Sequence, residues 1–326
     1  MNSQFECAPV LLINFNRPDF SERQIDILRK IKPAQVFYAV DGAREFKVGE
    51  REKVDAVRDL VDRVDWPCEV KTLFQSDNLG CKLAPSSAIS WFFDYVEAGI
   101  ILEDDCHVGV EFFRFASELL ERYKDDERVG AISAMNLYDL QSDKSVSYHF
   151  NTHINVWGWA TWKRVWRNYT VDISKYKDTR HDIVKQGLFT RRAQFAALKA
   201  FDAVQNGLQA WDYQLGFMLM SLGLLVAVPK VKLVGNVGFM DDRGTNIAGY
   251  NFDAYYMLKK GTMQFPLKHP LEIIPDVDKI KMEELREYGV LPRVLTRIGC
   301  CFPSIAFLVD RIGRFIECRM PRLFRF

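Results

Sequence analysis

Gly99-Ile-Ile-Leu102 runs directly into Glu103-Asp104-Asp105, so an apolar segment of strand length ends in three adjacent carboxylates. Acidic residues are poor strand formers, and like charges this close repel one another, so the placement costs stability unless something answers the charge. Hard divalent ions answer it well: Mg²⁺ and Mn²⁺ take oxygen ligands, commonly one or two carboxylates completed by phosphate oxygens. A hydrated acidic turn carries the same letters. The stretch therefore has two readings, a cation site or a solvated turn.

Outward from this point, strand-like and helix-like segments alternate as in a mostly parallel sheet. Val10-Leu-Leu-Ile13 ends at Asn14-Phe-Asn-Arg-Pro18, and Val36-Phe-Tyr-Ala-Val40 ends at Asp41-Gly42. Glu69 to Leu73 and Val129 to Ser133 read as further strands. Helical patterns are expected from about Ser21 to Lys30, Gly49 to Val64, Ala84 to Glu97 and Glu111 to Lys124, the last with Phe112, Phe115, Leu119 and Tyr123 at helical spacing. In open α/β sheets ligands collect beyond the carboxyl ends of strands, so four loops should converge: Asn14–Arg17, Asp41–Arg44, Asn78–Lys82 and Glu103–Asp105. No GxGxxG or GxxxxGK[ST] follows the first strand, which argues against a dinucleotide oxidoreductase or a P-loop enzyme.

Composition supports this class. With 326 residues, 48% hydrophobic and 27% charged, the chain can bury one large α/β domain or two smaller ones. A net charge of +1 gives no pull toward nucleic acid. Its distribution is uneven: residues 293–326 hold seven arginines against Asp310 and Glu317, five positive charges in excess, which leaves four negative charges in excess over residues 1–292. The seven cysteines include no CxxC pair, so neither a zinc site nor a disulfide framework is legible, and a reducing compartment is expected. Ala8 to Phe15 is too short for a secretory leader, and no stretch supplies the roughly 20 apolar residues of a spanning helix. A cytoplasmic protein is expected, with peripheral contact at the inner face of the membrane through the tail. There an uncharged run of 12 residues, Ile298 to Val309, precedes arginines interleaved with apolar side chains. Docking of this tail on the main domain is the competing expectation.

As a set, Pro9 to Pro18, Asp41-Gly42, Asp77-Asn-Leu-Gly80 and Leu102-Glu-Asp-Asp105 followed by Phe112-Phe113 resemble the nucleotide-sugar half of GT-A glycosyltransferases. The likeness is to family 2-like bacterial enzymes and to the N-acetylglucosaminyltransferase I type, in which an EDD triplet replaces DXD, and it covers about residues 8 to 245. It implies a Rossmann-like mixed, mostly parallel sheet flanked by helices. The implied division is a nucleotide-sugar half at about 1–135, an acceptor half at about 136–250 and a C-terminal extension over 251–326. It also implies that Asp105 binds Mn²⁺ or Mg²⁺, that Glu103 and Asp104 hold the ribose and sugar, that Asn14, Arg17 and Asp41 line the nucleotide pocket, and that Lys82 reaches the phosphates.

The second half supplies the acceptor side. Val156-Trp-Gly-Trp-Ala-Thr-Trp162 continues to Trp166 and Tyr169, and indoles can stack on a sugar while their N–H bonds a hydroxyl. Trp157 and Trp159 are expected at the site, and Trp162 and Trp166 in the core as the stripe of a helix from about Ala160. In Ala210-Trp-Asp-Tyr-Gln214 a carboxylate sits between two aromatics, a setting that raises its pKa and suits a general base; Asp212 is the candidate, with helix capping as its structural alternative. The resemblance supports the base. No histidine occurs between His181 and His269 to complete a metal shell, so Arg243 is expected to neutralise a diphosphate instead. The expected activity is inverting transfer from a nucleotide-sugar donor to a glycan or lipid-linked acceptor. A sugar-nucleotide pyrophosphorylase and a non-catalytic glycan-binding module are the alternatives.

Overall fold

The computed structural model describes residues 5–136, 145–238 and 260–288. Ten strands are β1 (Val10–Asn14), β2 (Gln35–Val40), β3 (Glu69–Phe74), β4 (Ala98–Glu103), β5 (Cys106–Val108), β6 (Val129–Ser133), β7 (Tyr148–Asn151), β8 (Trp159–Trp162), β9 (Leu225–Pro229) and β10 (Val234–Asn236). The main sheet has the order β3-β2-β1-β4-β8-β6-β9-β7. β8 and β7 run against their neighbours, while the β3-β2-β1-β4 block and the β6-β9 pair are parallel. β5 and β10 form a separate antiparallel pair. The helices are α1 (Pro18–Ile31), α2 (Glu50–Asp59), α3 (Gly80–Tyr95), α4 (Val110–Arg122), α5 (Lys163–Trp166), α6 (Arg180–Gly187), α7 (Arg191–Gln205), α8 (Asp212–Ser221) and α9 (Val277–Tyr288).

β1 and β4 read as unbroken apolar runs because both faces of a parallel sheet are covered. Val10, Leu11, Leu12, Ile100, Ile101 and Leu102 are all buried in the main core. β3, at the edge, is instead largely exposed and carries a Lys71–Glu69 ion pair, features that discourage further strand pairing. The expected mixed, mostly parallel sheet flanked by helices is the architecture found.

One expectation is corrected. Residues 159–162 form a strand inserted antiparallel between β4 and β6, and only the single turn Lys163–Trp166 is helical. Every residue of this strand is buried, so no alternation marks it, and four-residue indole spacing mimics a helical stripe. Trp162 and Trp166 do lie in the core.

The extension expected from residue 251 is described over residues 260–288. The Ser147 N–H donates to the Lys268 carbonyl and the Gly261 N–H to the Lys232 carbonyl, each at 2.7 Å, and Met263 and Leu267 join the main core. Residues 260–288 thus belong to the same body as the sheet. α9 buries Glu284 to 1% exposure, where its carboxylate accepts the N–H groups of Phe189 at 2.9 Å and Thr190 at 2.6 Å just before α7. The tail from 293 to 326 lies outside the described residues. Glu284→Ala should lower stability by about 1–3 kcal/mol, since it strands two backbone donors. An unchanged urea midpoint would contradict this role for α9.

Candidate active site

The register of β1 on β4 places Ile13 opposite Glu103, so the loop after β1 meets the acidic triplet directly. Pro18 opens α1 with a preset backbone angle and leaves Arg17 just ahead of the helix. From there its guanidinium grips Asp104 with two bonds, Nε to Oδ2 at 3.0 Å and Nη2 to Oδ1 at 2.5 Å. Nη2 also stands 3.7 Å from Asp105 Oδ2. The Gln24 amide donates to the Glu103 carbonyl at 2.6 Å, and the Ser21 hydroxyl to Asn14 Oδ1 at 2.9 Å, which ties α1 to the strand ends. Asn14 Nδ2 and Arg17 Nη1 are buried and lack partners among the described residues, so both are donors left for a ligand.

The other side of the triplet is built by chain that is distant in sequence. β10 pairs with β5 so that Asn236 faces Cys106, and the Asn236 amide stands 3.5 Å from Asp105 Oδ1. Gly238 passes so close that an added Cβ would lie 2.5 Å from Asp105 Oδ2. Behind the triplet, Trp211 Nε1 donates to Glu103 Oε1 at 3.2 Å. The next residue, Asp212, is the first of α8 and is half-buried. Its carboxylate takes the Asp212 and Tyr213 N–H groups at the start of α8, which partly offset the effect of burial.

Glu103 therefore feels the charges of Asp104, Asp105 and Asp212, and among the described residues Arg17 is the guanidinium paired with this group. Burial pushes Glu103 up to about 8, helped by the charges of Asp105, Asp212 and Asp104. Burial also pushes Asp104 up to about 6 against the pull of Arg17. Asp105 and Asp212 are raised by burial as well. Arg17 stays cationic, because burial is outweighed by the carboxylates around it. The triplet is accordingly not a solvated turn.

The fit to a metal ion follows from which oxygens remain free. Asp104 gives both of its oxygens to Arg17. Asp105, one-fifth exposed, has among the described residues only the long side-chain contacts to Arg17 and Asn236 and a weak thiol contact from Cys106. Among the described residues no group of three His, Cys, Asp or Glu side chains converges as a ligand set. A divalent ion here would rest on Asp105 and on oxygens brought by a ligand, the usual pattern for Mg²⁺. His107 stands edge-on to Phe20, and burial lowers it to about 4, so it is a neutral neighbour of the triplet.

Three expected site residues are placed differently. Asp41 Oδ1 accepts the N–H groups of Gly42 and Leu79, each at 2.9 Å, and Oδ2 accepts the Gly80 N–H at 3.0 Å and the Asn78 amide at 2.9 Å. With both oxygens so used, Asp41 docks the β3–α3 loop and starts α3; it is not a free carboxylate for a nucleotide. Gly42 is required beside it, since a Cβ there would lie 2.3 Å from the Asp77 carbonyl carbon. Trp159, expected at the acceptor site, is 1% exposed and stacks against Trp211 at 5.8 Å. Its central position in the sheet makes it core. Lys82 lines a recess shared with Val171 and Asp172. Trp157 is half-buried against the core, and Arg243 lies outside the described residues.

The Trp211–Glu103 bond and the approach of Asn236 and Gly238 to Asp105 have no local sequence signal, because strand pairing and packing across more than 100 residues create them.

No protein-family model matches the chain, and no curated protein sequence matches it. Among solved structures it is similar to HddC from Yersinia pseudotuberculosis at 12% identity and TM-score 0.31, over 50% of this chain and 80% of that one. It is also similar to the 4-diphosphocytidyl-2C-methyl-D-erythritol synthase of Anaerococcus prevotii at 7% identity and TM-score 0.29, over 60% and 84%. At these TM-scores neither likeness carries an argument about activity.

Glu103 keeps its proton to about pH 8 when folded and ionises near 4.5 when unfolded, so the folded chain binds more protons across that window. Stability must then fall as pH rises through it. Nucleotide-free protein should melt at progressively lower temperature over this range, and Glu103→Gln should flatten the slope. Superimposable pH profiles for the two proteins would contradict the assignment.

Proposed function

We propose that the chain is an inverting glycosyltransferase that uses a nucleoside-diphosphate sugar. The observation that carries this reading is Asp212, a carboxylate from a separate helix brought to the acidic end of the sheet beside Glu103, with the pKa raised by burial. In the proposed reaction an acceptor hydroxyl oxygen forms the new bond to the anomeric carbon, its proton passes to the Asp212 carboxylate, and the nucleoside diphosphate leaves with the electrons of the broken C–O bond. Arg17 Nη1 and Asn14 Nδ2 are the donors available to the departing group. Asp105 would hold a divalent ion, whose chemistry when bound is to neutralise diphosphate charge. Asp212 is half-buried, so a part of it is left for an acceptor to reach.

The second reading is nucleotidyl transfer, in which a sugar phosphate attacks a nucleoside triphosphate and releases pyrophosphate. It shares the acidic strand end and the nucleotide-linked substrate. Against it stands the loop Asn14–Pro18, which is neither glycine-rich nor lysine-bearing.

Incubation with UDP-, GDP- and dTDP-sugars and Mn²⁺ should release the nucleoside diphosphate and give a product inverted at the anomeric centre. Asp212→Asn should lower turnover about 10²–10⁴-fold with donor binding largely kept, the range of one positioned base. Asp105→Asn should chiefly weaken donor binding. Pyrophosphate release from nucleoside triphosphate and sugar 1-phosphate, with no sugar transfer, would replace this reading with the second. Full turnover by Asp212→Asn would remove the base.

A further inference from the structure

The first turn of α3, residues 171–173 and the end of α7 enclose a recess of about 340 Å³, lined by Lys82, Val171, Asp172, Ile173, Val204 and Gln205. That volume suits a single small ring or short ligand. Three links join its walls to the chain around Asp212. Its α7 wall leads through Leu208 to Trp211 and Asp212. The Cys81 thiol, next to Lys82, donates to the Gln209 carbonyl at 2.9 Å, and burial raises its pKa with help from Glu103 and Asp212. The Gln214 amide, in the first turn of α8, reaches the Val171 carbonyl at 3.5 Å.

The lining carries both signs of charge over an aliphatic floor. Lys82 makes no hydrogen bond or salt bridge among the described residues, although Asp172 feels its charge. Asp172 is held below its ordinary value first by the Ser174 N–H and hydroxyl, at 2.8 and 2.9 Å, and then by Lys82. Gln205 adds an amide at the rim, while Val171, Ile173 and Val204 supply hydrocarbon. A cationic donor, an anionic acceptor and an amide around such a floor match a ring with hydroxyls on its edge and C–H groups on its faces.

We propose that this recess seats a sugar ring of the acceptor, its reacting hydroxyl directed at Asp212, and that Lys82 serves this ring and not the donor phosphates. The direction of transfer rests on the glycosyltransferase reading, whereas sugar binding in the recess does not. It also supplies the acceptor contacts that the buried Trp159 cannot.

Saturation-transfer NMR on the full chain, with the methyl glycosides of glucose, galactose, mannose and N-acetylglucosamine as probes, reads the seat directly. Thermal shift with UDP, GDP and dTDP reads the nucleotide site in the same preparations. At least one glycoside should bind, and Lys82→Met and the exposed rim change Gln205→Trp should each weaken it about tenfold, the loss of one charge-assisted bond or of access. The nucleotide-induced shift should persist in both. The proposal is overturned if no glycoside binds, if both variants bind it as well as the natural chain, or if Lys82→Met abolishes the nucleotide shift. Glycoside binding with the expected losses, but no sugar transfer from any donor, would overturn the transfer reading and keep the recess as a sugar site.

Discussion

The buried ion pair between Arg17 and Asp104 is the contact on which the rest of the site depends. Two bonds fix the guanidinium against a carboxylate that has almost no access to water. Removing one member of such a pair leaves an uncompensated charge in the interior, a change that commonly costs about 3–5 kcal/mol. Among the described residues, this one guanidinium is too little positive charge for four carboxylates. Burial, helped by this surplus, keeps Glu103 protonated near neutrality, and Asp105 keeps lone pairs to offer.

This imbalance explains how the surrounding elements are disposed. α1 brings three side chains to the strand ends, with Arg17 on the triplet, Ser21 on Asn14 and Gln24 on the Glu103 carbonyl. The β2 end contributes a structural carboxylate: Asp41 spends its acceptors on Gly42, Asn78, Leu79 and Gly80, and so fixes where α3 begins. The far half of the chain closes the recess through Trp211, Asp212, Asn236 and Gly238. Stability is given up locally where charge is gathered, and the fully buried β1–β4 core holds the sheet together around it.

Much of this was legible in the sequence. The strand ends, the convergence of their loops, the acidic triplet and the candidacy of Asp212 follow from apolar runs that stop at charged or glycine-containing turns. What failed did so for identifiable reasons. Trp159 to Trp162 is buried on both faces, so a central antiparallel strand shows no period-2 alternation and its indoles imitate a helix. Asp41 carries the letters of a ligand contact, but its role is set by N–H groups some 40 residues on, which no local pattern reveals. Glu284 and Lys268 join the main body through contacts made across more than 90 residues, which charge and composition alone do not reveal.

The account turns on whether the surplus of negative charge at the end of β4 is answered jointly by a divalent ion and a diphosphate. Calorimetric titration of Mn²⁺, with and without a saturating nucleoside diphosphate, measures this most directly. The account predicts weak metal binding alone, much tighter binding with the nucleotide present, and loss of that coupling in Asp105→Asn. Metal affinity indifferent to nucleotide, or coupling that survives removal of the Asp105 charge, would contradict it.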